Sequence, residues 1–153
     1  MSVDKFAFLG AYLKVGKVKV KHLTSEIGCA NCKTVNTRDR FCSKCGGQHL
    51  DYSKEVTAKS FSDLLDLSYE REEISAEEHD DILDSCLFED DVIQPRGNSE
   101  IGIEHEVDYD FHEMTMPVVD TAVAQEFFKP ITNLLDKYEV SYELKIGIVF
   151  YCR

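Results

Sequence analysis

Two CxxC pairs constrain this chain more than anything else in it. Cys29 and Cys32 form the first, Cys42 and Cys45 the second, and nine residues separate them. Each pair can set two sulfurs on one tight turn with backbone amides aimed at a common centre. Two such turns brought together supply the four thiolates of a closed tetrahedral Zn2+ site. Gly28 precedes the first pair, and Gly46 and Gly47 follow the second, where knuckle backbones call for positive φ. The remaining cysteines, Cys86 and Cys152, lie far from the cluster and from each other. That grouping reads as one metal site plus two ordinary thiols in a reducing compartment rather than a disulfide framework, and cytoplasm is the expected location. Four cysteines leave no open coordination position, so the expected metal is one structural ion. On the scale of zinc-finger peptides it is worth ~10–16 kcal/mol of apparent folding energy. Redox use of the pairs is the rival reading, and it lacks a thioredoxin-like strand-to-helix setting. His22 and His49 flank the segment as spare ligand types.

The run FCSKCGG, residues 41–47, resembles the second knuckle of short two-knuckle zinc ribbons of the bacterial and phage type. The first knuckle, GCANCKT, departs from that pattern at Ala30, where proline is common, and at Lys33, where glycine is common. Neither departure removes a ligand. The resemblance covers residues 27–48 and implies zinc and the local fold. It implies no reaction, because such ribbons accompany proteins of many functions.

Around this module the hydrophobic pattern predicts an α+β domain, rich in antiparallel strands, with two to three helices and the ribbon as an insert. The expected divisions are strands of the main domain over 1–26, the ribbon over 27–48, and an acidic α+β domain over 49–153. Residues 5–15, KFAFLGAYLKV, read as a largely buried strand of the mature chain and not as a leader, since Asp4 precedes a short apolar run. In KVKVKH, period two puts Lys17, Lys19 and Lys21 on one face of a second strand. Residues 58–91 read as helical, with a capping box at Ser75 and Glu78 and apolar positions continuing through Cys86 and Leu87. Residues 100–113 alternate as a strand, with Ile101, Ile103 and His105 on one side and Glu104, Glu106, Asp108 and Asp110 on the other. A last helix, capped by Asp120, turns Val123, Phe127, Ile131, Leu134, Leu135 and Tyr138 inward, and Pro130 is expected to kink or split it. VSYELKIGIVFYC ends the chain as a strand. No apolar run is long enough for a membrane helix.

Charge divides the chain sharply. Residues 1–60 hold 11 Lys/Arg and 5 Asp/Glu, whereas residues 61–153 hold 6 and 24, so balances of +6 and −18 lie behind the net −12. Three uses follow. The acidic helices, through Glu72, Glu73, Glu77, Asp80, Asp81 and Asp84, can present carboxylates that imitate phosphates to a basic, nucleic-acid-handling protein. In size and composition the chain resembles the small acidic inhibitors that phages make. Alternatively Lys17, Lys19, Lys21, Lys33, Arg38, Arg40 and Lys44 gather enough basic charge for a nucleic-acid-binding regulator. A third use is internal, with the lysine strand beside the carboxylate strand. A role as a structural component of a larger assembly, through exposed strand edges, also stands. His105 and His112 point to opposite faces of one strand and cannot share an ion without a bulge. No nucleophile elbow, phosphate loop or HExxH helix occurs, so no enzyme is expected.

Overall fold

The structure, a computed structural model, describes residues 4–29, 31–32, 34–35, 40–107 and 114–152. Among the described residues three helices and antiparallel strands make an α+β fold. The chain divides into two compact units, residues 19–58 and the remainder, 1–18 with 59–153. The larger unit carries ten basic and 25 acidic residues, a balance of −15, and the smaller carries seven and four, a balance of +3.

In the larger unit, strand β1 (Lys5–Val15) is the centre of a five-stranded sheet. Its near-continuous apolar sequence suits that place, because it is paired along both edges; Ala7, Phe8, Leu9, Ala11 and Leu13 are all buried. One edge pairs over its whole length with β8 (Tyr142–Cys152), from Lys5↔Cys152 to Val15↔Tyr142. The other edge is shared end to end. β7 (Gly102–Glu106) takes the half from Phe6 to Gly10, and β6 (Val92–Pro95) takes Leu13 and Lys14. β5 (Cys86–Glu89) pairs outside β6. At Gly10 the backbone turns to φ 152°, and a Cβ there would overlap the Ile101 carbonyl; at Gly102 a Cβ would strike the Phe8 ring. Both glycines therefore let β1 and β7 approach under an aromatic cover.

Helices α1 (Phe61–Glu70), α2 (Ala76–Ser85) and α3 (Thr121–Lys137) supply the second layer. The Phe61 ring lies 5.3 Å from Phe88, whose strand partner Ile93 is paired in turn with Leu13. This fixes the helix-bearing face as that of Leu13, Ile93 and Phe88. Each helix starts on a side-chain cap. Ser60 Oγ accepts from the Asp63 amide at 3.1 Å, Ser75 and Glu78 close a reciprocal box at 3.0 and 3.1 Å, and Asp120 accepts from the Ala122 amide at 2.9 Å.

Several sequence expectations change. Helical structure does not run to residue 91: after Ser85 the chain enters the β5–β6 hairpin, whose turn carries Asp90 at φ 48°. α3 is not split at Pro130, and its buried stripe is Ala124, Phe128, Ile131, Leu134 and Leu135, while Val123 faces outward. Lys17 and Lys19 precede their strand, β2 (Val20–Cys29), which pairs with β4 (Leu50–Ala58) and not with the carboxylate strand β7. Among the described residues, the lysine and carboxylate rows therefore do not face each other across a sheet. Asp108, Asp110 and His112 lie outside the described residues.

In the smaller unit, β2 and β4 form a two-stranded ribbon from Val20↔Ala58 to Gly28↔Leu50. β3 (Thr34–Val35) pairs with the far end of β2 through Gly28↔Val35 and Cys29↔Thr34. The segment 27–48, expected as the insert, lies wholly inside this unit, which takes in both arms of the ribbon as well.

Candidate metal centre and acidic helical face

The four cysteines of the two pairs meet at the far end of the β2–β4 ribbon, all their Sγ atoms within 4.8 Å of one another. Cys29 ends β2, and the β2–β3 pairing turns the chain back so that Cys32 follows beside it. The Cys32 amide donates to Cys29 Sγ at 3.4 Å, the inward-pointing amide expected of a knuckle. The second knuckle is a tight loop: the Cys42 amide donates to the Gly47 carbonyl at 2.7 Å and the Gly46 amide to the Cys42 carbonyl at 2.8 Å. Lys44 then donates its amide to Cys42 Sγ at 3.4 Å. Gly46 holds φ 74°, and a Cβ at Gly47 would press to 3.3 Å from Cys45 Sγ. Those two glycines close the loop onto the sulfurs.

Four thiolates bonded to one Zn2+ at about 2.3 Å sit roughly 3.8 Å apart at the corners of a tetrahedron. Sulfurs already within 4.8 Å of one another, with Cys29 and Cys45 at 3.4 Å, fit such an ion closely. Cys29 and Cys42 are buried, Cys32 is half-buried and Cys45 is exposed. Hydrogen bonding to the Cys45 and then the Cys42 thiols, with burial behind them, pushes the Cys32 thiol up to about 12. All six cysteines are free thiols; Cys86 is buried, which pushes its thiol up to about 11, and Cys152 is exposed. Among the described residues His22 and His49 are not in the cluster.

The second feature is in the larger unit. α1 and α2 form a helical hairpin whose turn includes Glu72 at φ 57°. His79 Nε2 lies 3.0 Å from Asp66 Oδ1 on α1, and its Nδ1 lies 3.4 Å from Asp80. The Asp66 carboxylate chiefly, helped by Asp80, holds the imidazole above its ordinary value against the opposing effect of burial. Glu73 reaches α3, accepting from Tyr138 Oη at 2.7 Å and lying 3.2 Å from Lys137 Nζ. Burial pushes its carboxyl up, but those two partners outweigh it and hold the group below the usual carboxylate range.

Between α2 and α3 lies a groove of about 660 Å³. Ile82, Cys86, Ile131 and Leu134 are buried along it, with Ile74 and Phe127 beside them. Its rim carries Glu73, Glu78, Asp81 and Asp84 against the single cation Lys137. Of the six acids singled out in the sequence, Glu73, Asp81 and Asp84 thus line one groove. Glu72, Glu77 and Asp80 are exposed nearby on the same hairpin. The periodicity of the acids was legible, but the groove was not, since it needs α3 laid beside α2.

Of the basic set, all but Lys17 fall within the span of the smaller unit. Lys17 belongs to the larger unit, while Lys19, Lys21, Arg40 and Lys44 are exposed on the smaller one. Lys21 Nζ lies 3.6 Å from Glu55 across the ribbon. Lys33 and Arg38 lie outside the described residues. Among the described residues no helix is long and apolar enough to cross a membrane.

No family model, curated protein or solved structure matches this chain.

Proposed function

We propose that this chain is a non-enzymatic protein that binds another protein through its acidic helical face and uses one structural zinc ion to hold its ribbon. The ribbon is of the two-knuckle bacterial or phage type, and the whole chain acts as an accessory or host-interaction factor. What carries the reading is the groove between α2 and α3, where an apolar floor is bordered by Asp81 and Asp84. A solvated acidic surface needs no such floor. A basic segment with an apolar anchor uses both parts, the anchor in the groove and its cations against the carboxylates. Nucleic-acid-handling proteins present such basic surfaces, and the −15 balance of this unit would steer them.

A tagged chain captures its partner from nuclease-treated lysate, and D81K/D84K abolishes that capture while leaving zinc content and far-UV CD unchanged. Capture that survives the double reversal overturns the reading. One observation favours a second use: Phe41 is 59% exposed, between Arg40 and the metal knuckle, in a unit of balance +3. An exposed ring beside cations is the platform on which a single-stranded base stacks. Nucleic acid that copurifies with the wild type and is lost with Phe41→Ala supports that regulator reading.

A further inference from the structure

Among the described residues, the outer edge of β8 carries a row of backbone groups with no strand partner and a row of apolar side chains on the same residues. Backbone bonds fix the first. Ala11 and Val15 donate their amides away from β8, to the Ile101 and Asp91 carbonyls at 2.8 and 2.7 Å, while Gly16 donates to Ser141 at 2.7 Å. Odd-numbered residues of β1 therefore bond toward β6 and β7, and even-numbered ones toward β8. Opposite residues of an antiparallel pair exchange both bonds, so Gly10 with Gly147 and Tyr12 with Lys145 are bonded pairs. Tyr142, Leu144, Ile146, Ile148 and Phe150 are left with N–H and C=O directed outward, and among the described residues β8 pairs with β1 alone.

Register fixes the second row. These five residues lie opposite Val15, Leu13, Ala11, Leu9 and Ala7, on the helix-bearing face. At the sheet margin Ile146, Ile148 and Phe150 stay 48%, 47% and 66% exposed. Long apolar edges of this kind are ordinarily blunted by charge, proline or a bulge. Here the two charges of the strand, Glu143 and Lys145, project to the opposite face and lie 3.7 Å from each other.

We infer that β8 pairs antiparallel with β8 of a second copy about a two-fold axis at Ile146, joining two five-stranded sheets into one. The row reads the same in both directions: ring, aliphatic, aliphatic, aliphatic, ring. Centring it on Ile146 sets Tyr142 opposite Phe150 of the second copy, Leu144 opposite Ile148, and Ile146 opposite itself. All five are residues with outward backbone groups, which gives about ten new hydrogen bonds. A neutral, self-matching strand favours a second copy over the basic partner, and this inference does not rest on the acidic-face reading.

Sedimentation velocity of the zinc-loaded full chain over rising concentration tests it. Wild type passes from monomer to dimer mass, and Ile146→Lys stays monomeric with an unchanged far-UV CD spectrum. A wild type that remains monomeric, or a dimer that Ile146→Lys leaves intact, overturns the inference. Cross-linking tests the register without a buried charge. In a Cys152→Ser background with excess zinc, two copies of Ile146→Cys face each other at about 5.5 Å between Cα atoms, within disulfide reach. Mild oxidation gives a covalent dimer for Ile146→Cys and none for Ile148→Cys; equal yields from the two overturn the register.

Discussion

His79 joins α1 to α2 through Asp66, and its protonation state sets how strongly. Because the folded protein raises its affinity for the proton, the stabilisation is fully present below the ordinary histidine range. It is lost as pH rises through the raised value. Thermal melts across that interval show wild type above His79→Gln at the acid end, with the gap closing toward alkaline pH. A gap independent of pH would mean that the contribution is packing against Tyr69, whose ring lies 5.1 Å away, and not charge. Spacing in the sequence indicated the four sulfur ligands without help, because two knuckles are local structures. It gave no hint that Glu73 is committed to Tyr138, a partner 65 residues on.

Among the elements, the β2–β4 ribbon depends most on something other than its own packing. Two strands alone bury too little to be stable in water, and Leu23, Ile27 and Leu50 remain exposed. A metal ion held by the four cysteines at its far end would supply the missing constraint. Stripping the ion with a strong chelator, or replacing Cys42 by Ser, therefore abolishes ordered strand signal from residues 19–58 by amide exchange. The α1–α3 helical signal survives. Protection in the ribbon that persists after metal removal would deny the ion its structural role. Capped helices and the central strand were legible because their signals are short-range: Ser75 with Glu78, Asp120, and the apolar run of β1. The β5–β6 hairpin was not, since Cys86 and Leu87 fit helical spacing as well as a strand. Its one local signal is the Asp90–Asp91 turn, which is easily lost among so many acids. Pairing of β1 with β8 joins the two ends of the chain and leaves no trace in either segment alone.

At the scale of the whole molecule the two proposed associations respond to salt in opposite directions. Docking of a basic partner on the acidic hairpin draws on attraction and weakens as salt is added. Pairing of two copies through β8 brings together chains of charge −12, so salt relieves a repulsion and the dimer tightens. Partner binding and dimer mass followed over one salt series should diverge; parallel loss of both would trace the self-association to charge. The sequence showed the charge division plainly, whereas assigning its two signs to separate compact units required the fold. The smaller unit has one further consequence. Val20 and Ala58 are cross-strand neighbours, so the chain leaves for the ribbon and returns from it within about 5 Å. A gap that narrow can be bridged by a reverse turn of a few residues. The arm with the four cysteines is thus a cassette, which can be excised, lengthened or exchanged in evolution or at the bench without rethreading the sheet it interrupts.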